Sequence, residues 1–388
     1  WIGMNFPIDH LPEVLDTPSF VYSRRMLGER AQQALACQTP FGLTVRYAIK
    51  ANSHPEIIRL FDELGLQFDA SSSYEAALLL EQGVSGPTIS LSSQQPAHNL
   101  DELLQAGVRY VATSLHQLEL FAASPHHPNT VGLRLNPGMG SGHNNRTMTG
   151  GVNSSFGLWH AYTEQAVELA RRHDITIDRL HIHIGSGADP RLWGEAIDAA
   201  LALVGRLPEV TILDIGGGFK VHRFGDEQEA DLAAICEVFS RKLSQFAEET
   251  GRQLHLEIEP GTWLVAYAGV LVAKVVDIVD TGADGHTFLR LDTGMNDVTR
   301  PGMYGAQHEM MVLVGREEQR EYIVVGHCCE TGDILTPAPN NPENLASRRL
   351  ARAEIGDKLV IFDAGAYCQS MSLKQYNAYP DAGTYFID

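Results

Sequence analysis

A chain of 388 residues can bury one large hydrophobic core or two, so a big barrel with a smaller companion domain is a fair first expectation. Its 29 Lys and Arg stand against 48 Asp and Glu, a formal charge of −19, which argues for a solvated surface and against nucleic acid or membrane as a partner. The five cysteines (Cys37, Cys236, Cys328, Cys329, Cys368) are odd in number and irregularly spaced, giving neither a disulfide framework nor a CxxC metal pattern. With no N-terminal basic-plus-apolar signal and no apolar run of bilayer length, a cytoplasmic location is expected.

In chain order, the first stretch ends in Pro18-Ser19-Phe20-Val21-Tyr22, a short strand. Apolar strand-like runs then recur at 45–50, 67–72, 88–93, 110–115, 130–136, 179–187, 210–218 and 253–261, most of them separated by segments of helical period. The first of those segments has Pro55 near its start, Ile57, Leu60, Phe61 and Leu64 on one face, and Gly65 as a stop. Eight strands alternating with helices over roughly 240 residues match the count and length of a (β/α)8 barrel, with a doubly wound open sheet as the alternative. The barrel is favoured because reactive residue types fall at the strand ends, which in that fold face one mouth. These are Lys50, Asp69 with Ser71, Ser92, Thr113, Arg134, His183 with Ser186, Gly216-Gly217-Gly218, and Glu259. Past Gly261 the segments 270–279, 287–291, 310–314, 321–325 and 358–362 are short, β-rich and broken by Gly, Asp and Pro. They predict an antiparallel β domain that takes the N-terminal strand as well. The expected division is a barrel over 23–266 and a β domain over 1–22 and 267–388.

Each candidate motif carries a chemical and a plain reading. In Arg46-Tyr47-Ala48-Ile49-Lys50-Ala51-Asn52-Ser53 an apolar run ends on one lysine. An ammonium removed from water finds an anion or gives up its proton, and such a lysine can form a Schiff base with an aldehyde cofactor. The same stretch also fits a strand-end lysine that reaches solvent. Gly216-Gly217-Gly218 would let backbone N–H groups approach a phosphate, or simply make a tight turn. His181 and His183 share a strand face, which suits a metal pair, a histidine packed on an aromatic ring with Ser186 on phosphate, or a satisfied core histidine. Glu259 is either a turn residue or a carboxylate that keeps a pyridine nitrogen protonated. Cys329, beside Glu330 in a loop, reads as an acid or nucleophile, or as an inert thiol.

Six motifs occur in the order seen in one family: Tyr47-Ala48-Ile49-Lys50-Ala51-Asn52, His183-Ile184-Gly185-Ser186, Asp214-Ile215-Gly216-Gly217-Gly218-Phe219, Glu259-Pro260-Gly261, Cys329-Glu330-Thr331-Gly332-Asp333 and Asp363-Ala364-Gly365-Ala366-Tyr367. Nearly the whole chain resembles the fold-type III decarboxylases that use pyridoxal 5'-phosphate, the ornithine and diaminopimelate decarboxylases. The resemblance implies an alanine-racemase-like (β/α)8 barrel plus a β domain, and a head-to-tail homodimer with two shared active sites. It makes Lys50 the Schiff-base lysine, His183 the ring-stacking residue and Glu259 the partner of the pyridine nitrogen. Ser186, Gly216, Gly217, Gly218 and Tyr367 would bind phosphate, with Asp69, Glu75 and Arg134 in support. Cys329 would protonate Cα after carbon dioxide leaves, entering from the other subunit with Glu330. Cys-Glu-Thr-Gly-Asp looks like the diaminopimelate branch, and Arg300-Pro301-Gly302-Met303-Tyr304-Gly305-Ala306 is similar to that branch's carboxylate-binding segment. The implied substrate residues are therefore Arg300, Tyr304, Glu330 and Asp333.

Three positions depart from that branch: Thr262 stands where an arginine is expected, Ser155 where a lysine is, and Tyr379 where an arginine is. Each removes positive charge from the part of the pattern that handles the distal end of the substrate. The expected reaction is thus α-decarboxylation of an amino acid or conjugate with a polar or carboxylate distal group. The reading leans to an N-citryl-ornithine-like siderophore precursor, with meso-diaminopimelate of lysine biosynthesis as the alternative. A racemase on the same barrel would use a tyrosine as second base and leave Cys329 and Glu330 unexplained. An inactive regulatory homologue would have shed the lysine or the glycines, and neither is lost.

Overall fold

The computed structural model describes residues 5–138 and 150–388. The apolar runs form β1 (Leu43–Ala48), β2 (Gln67–Ala70), β3 (Ile89–Ser92), β4 (Arg109–Ala112), β5 (Thr130–Asn136), β6 (Thr176–His181), β7 (Ile212–Asp214) and β8 (His255–Ile258). Hydrogen-bonded neighbours run β4-β3-β2-β1-β8-β7-β6-β5, all parallel, and the pairing of β4 with β5 closes the ring. Closure excludes the open doubly wound sheet, because no strand is left as an edge. Helices supply the crossovers that parallel neighbours require. In the first, Pro55–Glu63, His54 caps the Glu56 amide, Pro55 opens the helix, and Ile57, Ile58 and Phe61 are buried. The strands stop sooner than the apolar runs suggest. Lys50 lies in a single 3₁₀ turn, Ile49–Ala51, and His183, Gly216 and Glu259 lie just past β6, β7 and β8.

Inside the barrel the two-residue repeat of a strand stacks charge in layers. Arg46 on β1, Arg179 on β6, Asp214 on β7 and Glu257 on β8 are all buried. Arg46 grips Glu257 with two hydrogen bonds of 3.1 and 3.0 Å. Arg179 pairs with Glu257 as well, donates to Asp214 at 2.5 Å, and reaches Ser90 on β3 at 2.7 Å. Although burial opposes ionisation, Arg179 and Arg46 hold the Glu257 carboxyl down at about 2.

The chain divides into two compact units, one of Arg30–Lys220 with Gln228–Gly261, the other of residues up to Glu29, Val221–Glu227 and Thr262–Asp388. The breaks thus fall after Glu29 and Gly261, away from the expected 22/23 and 266/267, and Val221–Glu227 groups with the second unit although no change of periodicity marks it. In that unit Ser19–Ser23 pairs antiparallel with Gly269–Asp280 and parallel with Gly383–Ile387. Thr287–Leu291 also runs parallel to Gln319–Val325. The sheet is therefore mixed rather than antiparallel as the short strands suggested. Antiparallel order is the result of tight hairpins, and the long irregular connections before these strands free them to run the same way. No helix among the described residues is long and apolar enough to cross a membrane.

The ionic layer sets a stability test. Glu257→Ala leaves Arg46 buried without a carboxylate and Arg179 with Asp214 alone, and should cost about 3–5 kcal/mol in urea unfolding. A loss below about 1 kcal/mol would mean that the layer contributes little.

Candidate active site

One layer above Glu257 and Arg179, two residues further along the same strands, are Glu259 and His181. Here carboxylates outnumber the cations that bond them. The Glu259 carboxylate lies 3.4 Å from His181 Nε2, and its Oε1 is buried without a hydrogen-bond partner. Burial, with Asp69 adding repulsion, pushes the Glu259 carboxyl up. Asp214 spends one oxygen on Arg179 and the other on the Gly216 amide at 2.9 Å, and burial together with Glu259 raises its carboxyl too. Burial drives the His181 imidazolium down to about 3, so its ring is neutral. The ligand atoms of His181, Asp214 and Glu259 lie within 4.8 Å of one another, although both Asp214 oxygens are already bonded within the protein.

Lys50 stands at the mouth with its side chain 45% exposed, 3.2 Å from Ser71 Oγ and 3.9 Å from Asp69. Ser71 is fixed in turn: its amide donates to Glu75 Oε2 at 2.7 Å, and Glu75 opens the Ser73–Glu81 helix capped by Ser72. Glu75 thus orients the loop under the lysine. Arg134 on β5 lies over the Phe156 ring at 5.1 Å. His183 Nδ1 accepts from the Gly217 amide at 3.2 Å, which makes Nδ1 the unprotonated nitrogen, and burial with Arg134 holds its imidazolium well down.

The glycine run has a steric reason. Gly216 and Gly218 have φ of +76° and +101°, values favoured by glycine. A Cβ on Gly217 would overlap the Glu259 carbonyl, and one on Gly218 the Gly185 carbonyl. The backbones after β6, β7 and β8 therefore pack bare against one another, with the Gly216 and Gly217 amides turned to Asp214 and His183.

Ser186 follows β6 in the barrel unit and is half-buried, and the remaining expected residues belong to the second unit. Arg300 and Tyr304 open and close the short helix Arg300–Tyr304, and Tyr367 holds a left-handed φ of 56°. Cys329 is exposed, whereas Cys328 is buried and its thiol is pushed up to about 12, mainly by burial. The Cys329 amide donates to Asn377 and its carbonyl accepts from Tyr376. Glu330 is exposed, with Oε1 accepting from the Gly332 amide at 3.1 Å. Asp333 differs from its expected role in substrate binding. It is 3% exposed, and its two oxygens accept from the Met295 amide at 2.7 Å and the Cys328 amide at 2.9 Å, so it shapes the loop. Tyr379, one of the three departures, stacks on His327 with ring centroids 3.5 Å apart and donates to the His327 carbonyl. Sequence reasoning passed over Asp214 and Arg179. The available signal was charge recurring every second residue inside apolar runs.

These residues fit pyridoxal phosphate: an amine at the mouth, bare glycine backbone where a Cβ would clash, and a buried carboxylate oxygen without a hydrogen-bond partner. A family model described as the pyridoxal binding domain of pyridoxal-dependent decarboxylases matches residues 27–266. The chain belongs to the fold-type III pyridoxal-dependent decarboxylases. The diaminopimelate decarboxylase of Streptomyces coelicolor is 34% identical over 353 residues, covering 87% of this chain and 78% of its own. That of Escherichia coli K12 is 32% identical over 383 residues, covering 95% and 88%. A crystal structure of a diaminopimelate decarboxylase superposes with a TM-score of 0.89 at 31% identity, covering 98% of this chain and 90% of that one. The M. jannaschii enzyme in complex with L-lysine gives 0.82 at 26%, covering 96% and 87%. Within the family this chain stands on the diaminopimelate branch, as an amino-acid carboxy-lyase whose cofactor is pyridoxal 5'-phosphate. Once bound, that cofactor supplies an electron sink for the pair left behind when the carboxylate departs as carbon dioxide.

The crowded acids carry a pH signature. Burial, opposed by Lys50 and helped by Asp214, pushes the Asp69 carboxyl up to about 6 from its ordinary 3.8. The folded carboxyl therefore keeps its proton to higher pH than the unfolded one, and stability falls as pH rises from about 4 to about 6. A rise of that size amounts to about 2–3 kcal/mol. Asp297 is raised to about 6 in the same window, mainly by burial, so Asp69→Asn should lessen this slope in chemical unfolding of the cofactor-free protein, and an unchanged slope would show that Asp69 does not contribute to it.

Proposed function

We propose that the protein removes the α-carboxylate of an amino acid whose far end bears a carboxylate group, with Lys50 holding the cofactor. The observation that carries this reading is the buried, unpartnered Glu259 Oε1, which suits a ring N–H. Held in a low-dielectric layer, Glu259 keeps that nitrogen's proton in place. Neutral His183 covers the ring face, and Gly216, Gly217, Gly218, Ser186 and Tyr367 receive the phosphate. Glu75, through Ser71, orients the Lys50 amine, with Asp69 and Arg134 balancing charge beside it. The exposed Cys329 thiol returns a proton to Cα, in a loop shaped by Asp333 and pinned by Tyr376 and Asn377. Glu330 accepts from a substrate amine or amide, while Arg300 and Tyr304 take the distal carboxylate.

The names of the relatives favour meso-diaminopimelate as substrate. One observation favours a second reading, a bulkier N-citryl-ornithine-type conjugate. Thr262, first residue of the helix Thr262–Val265, replaces an arginine whose charged hydrogen bond is worth roughly 1.5–3 kcal/mol, or ten- to a hundredfold in binding. Carbon dioxide release is to be compared for meso-diaminopimelate, N-citryl-ornithine, ornithine and lysine. A kcat/KM for diaminopimelate far above the others sinks the conjugate reading, and the reverse order sinks diaminopimelate. Release from none of them would contradict the proposal itself.

The working form is proposed to be a homodimer in which Cys329 of one subunit serves Lys50 of the other. Lys50→Ala and Cys329→Ala chains, each inactive alone, should recover about a quarter of wild-type activity when mixed, because half of randomly paired dimers have one intact site. No recovery, with exchange verified by mass, would mean that each site is built within one chain.

A further inference from the structure

The irregular spacing of the cysteines hides a pair that the barrel brings together. Cys37 follows the Arg24–Leu35 helix by two residues, on the connection into β1, and Cys236 lies one turn into the Leu232–Thr250 helix, which leads into β8. Two contacts set the register between these segments. Cys37 Sγ approaches the Leu232 carbonyl at 3.9 Å, and Ser240 Oγ donates to the Gln38 carbonyl at 3.0 Å. Leu232, Cys236 and Ser240 are spaced four residues apart and so share one stripe of the helix, with Cys236 in the middle. Residues 37 and 38 bind the two ends of that stripe, which leaves Cys236 facing Cys37, and the two thiols are hydrogen-bond partners. Both line an open cleft of about 530 Å³, which Glu237 and Arg241 line as well.

The pair is asymmetric. Cys236 is 3% exposed whereas Cys37 is half-buried, so Cys37 is the sulfur that a molecule in the cleft reaches first. The hydrogen bond with Cys236 holds the Cys37 thiol below its ordinary value, against burial and the charge of Asp231. The same contact, together with burial, pushes the Cys236 thiol up. A thiol that ionises readily beside one that keeps its proton matches the division between attacking and resolving sulfurs in thiol–disulfide exchange. Because β1 and β8 are hydrogen-bonded neighbours, the segments that carry the pair flank the seam where the first and last strands of the ring meet. A bond there would enclose roughly 200 residues, nearly the whole barrel.

We propose that Cys37 and Cys236 are a site of reversible oxidation: a small disulfide of the oxidised-glutathione class enters the cleft and converts the two thiols into a bond that staples this seam. The Cys37 thiolate attacks one sulfur of the small disulfide, whose S–S bond breaks, and the released thiolate takes up the proton that Cys37 lost. The Cys236 sulfur then attacks that of Cys37, the mixed S–S bond breaks, and the second small thiol leaves with the Cys236 proton. Two electrons pass from the pair to the small disulfide, and a small dithiol reverses both steps. Glu237 and Arg241 offer opposite charges to a zwitterionic peptide in the cleft. The site goes beyond the decarboxylase reading, since neither thiol takes part in the chemistry proposed for Lys50 and Cys329.

The test is incubation of the holoenzyme with oxidised glutathione, followed by alkylation with iodoacetamide and mass mapping of the peptides. A cross-linked pair of peptides containing Cys37 and Cys236 is expected, about 2 Da lighter than the two reduced peptides together, and dithiothreitol should abolish it. Oxidation should raise the melting temperature by at least about 5 °C, because a long loop is closed in the unfolded chain. Cys236→Ala should instead retain glutathione on Cys37 and show no such rise. The mapping needs no variant, so it decides the matter even where Cys236→Ala does not fold. Four results would each overturn the proposal: both thiols alkylated after the incubation, glutathione persisting on Cys37 of the wild-type chain, a bridge from Cys37 to a cysteine other than Cys236, or a Cys37–Cys236 bridge that leaves the melting temperature unmoved.

Discussion

Two carboxylates, Glu257 on β8 and Glu259 just past its end, set the character of the barrel. Glu257 and Glu259 share a face two residues apart, yet Glu257 is gripped by Arg46 and Arg179 while Glu259 has the neutral His181 and the acid Asp214 beside it and no arginine bonded to it. The lower carboxylate is satisfied and strongly acidic. The upper one is raised by burial and by neighbouring acids. A closed ring of eight parallel strands is what allows groups from β1, β3, β6, β7 and β8 to meet in one lower layer, and what aims the next layer at the mouth. Stability and chemistry are thus separated by the pitch of a β-strand.

The second unit orders its loops by a different device, backbone capture. Asp333 binds two amides of the Cys328 loop, and both Gly294 and Gly326 lack a Cβ where that carboxylate packs. Tyr376, Asn377 and Tyr379 hold the same loop from the C-terminal side through the Cys329 amide and the carbonyls of His327 and Cys329. Tyr379 accordingly has a steric task where the resembling enzymes carry charge. Such an arrangement leaves Cys329 exposed while its neighbour Cys328 is shut away.

The barrel was legible because parallel strands buried on both faces read as apolar runs, and because glycines and polar residues mark where they end. The ends themselves were set too late: the backbone turns at Ile49 and at Ile182 while the side chains are still apolar. The mixed order of the second sheet was hidden, since direction depends on connections that have no periodicity. Among site residues, Lys50, His183, Glu259 and the glycines sit in short motifs and could be found by eye. Arg179 and Asp214 were passed over, because they meet only when β6 and β7 pair. The loop bonds of Asp333 were not legible, because a motif gives residue order and says nothing of which oxygens accept from the backbone.

The lysine that holds the cofactor is the central feature of the proposed chemistry. Borohydride reduction of the purified protein, followed by mass mapping of its peptides, fixes the pyridoxyl group to that residue. The label is predicted on the peptide containing Lys50 and nowhere else. A label on any other lysine, or none on a protein saturated with pyridoxal phosphate, would contradict it.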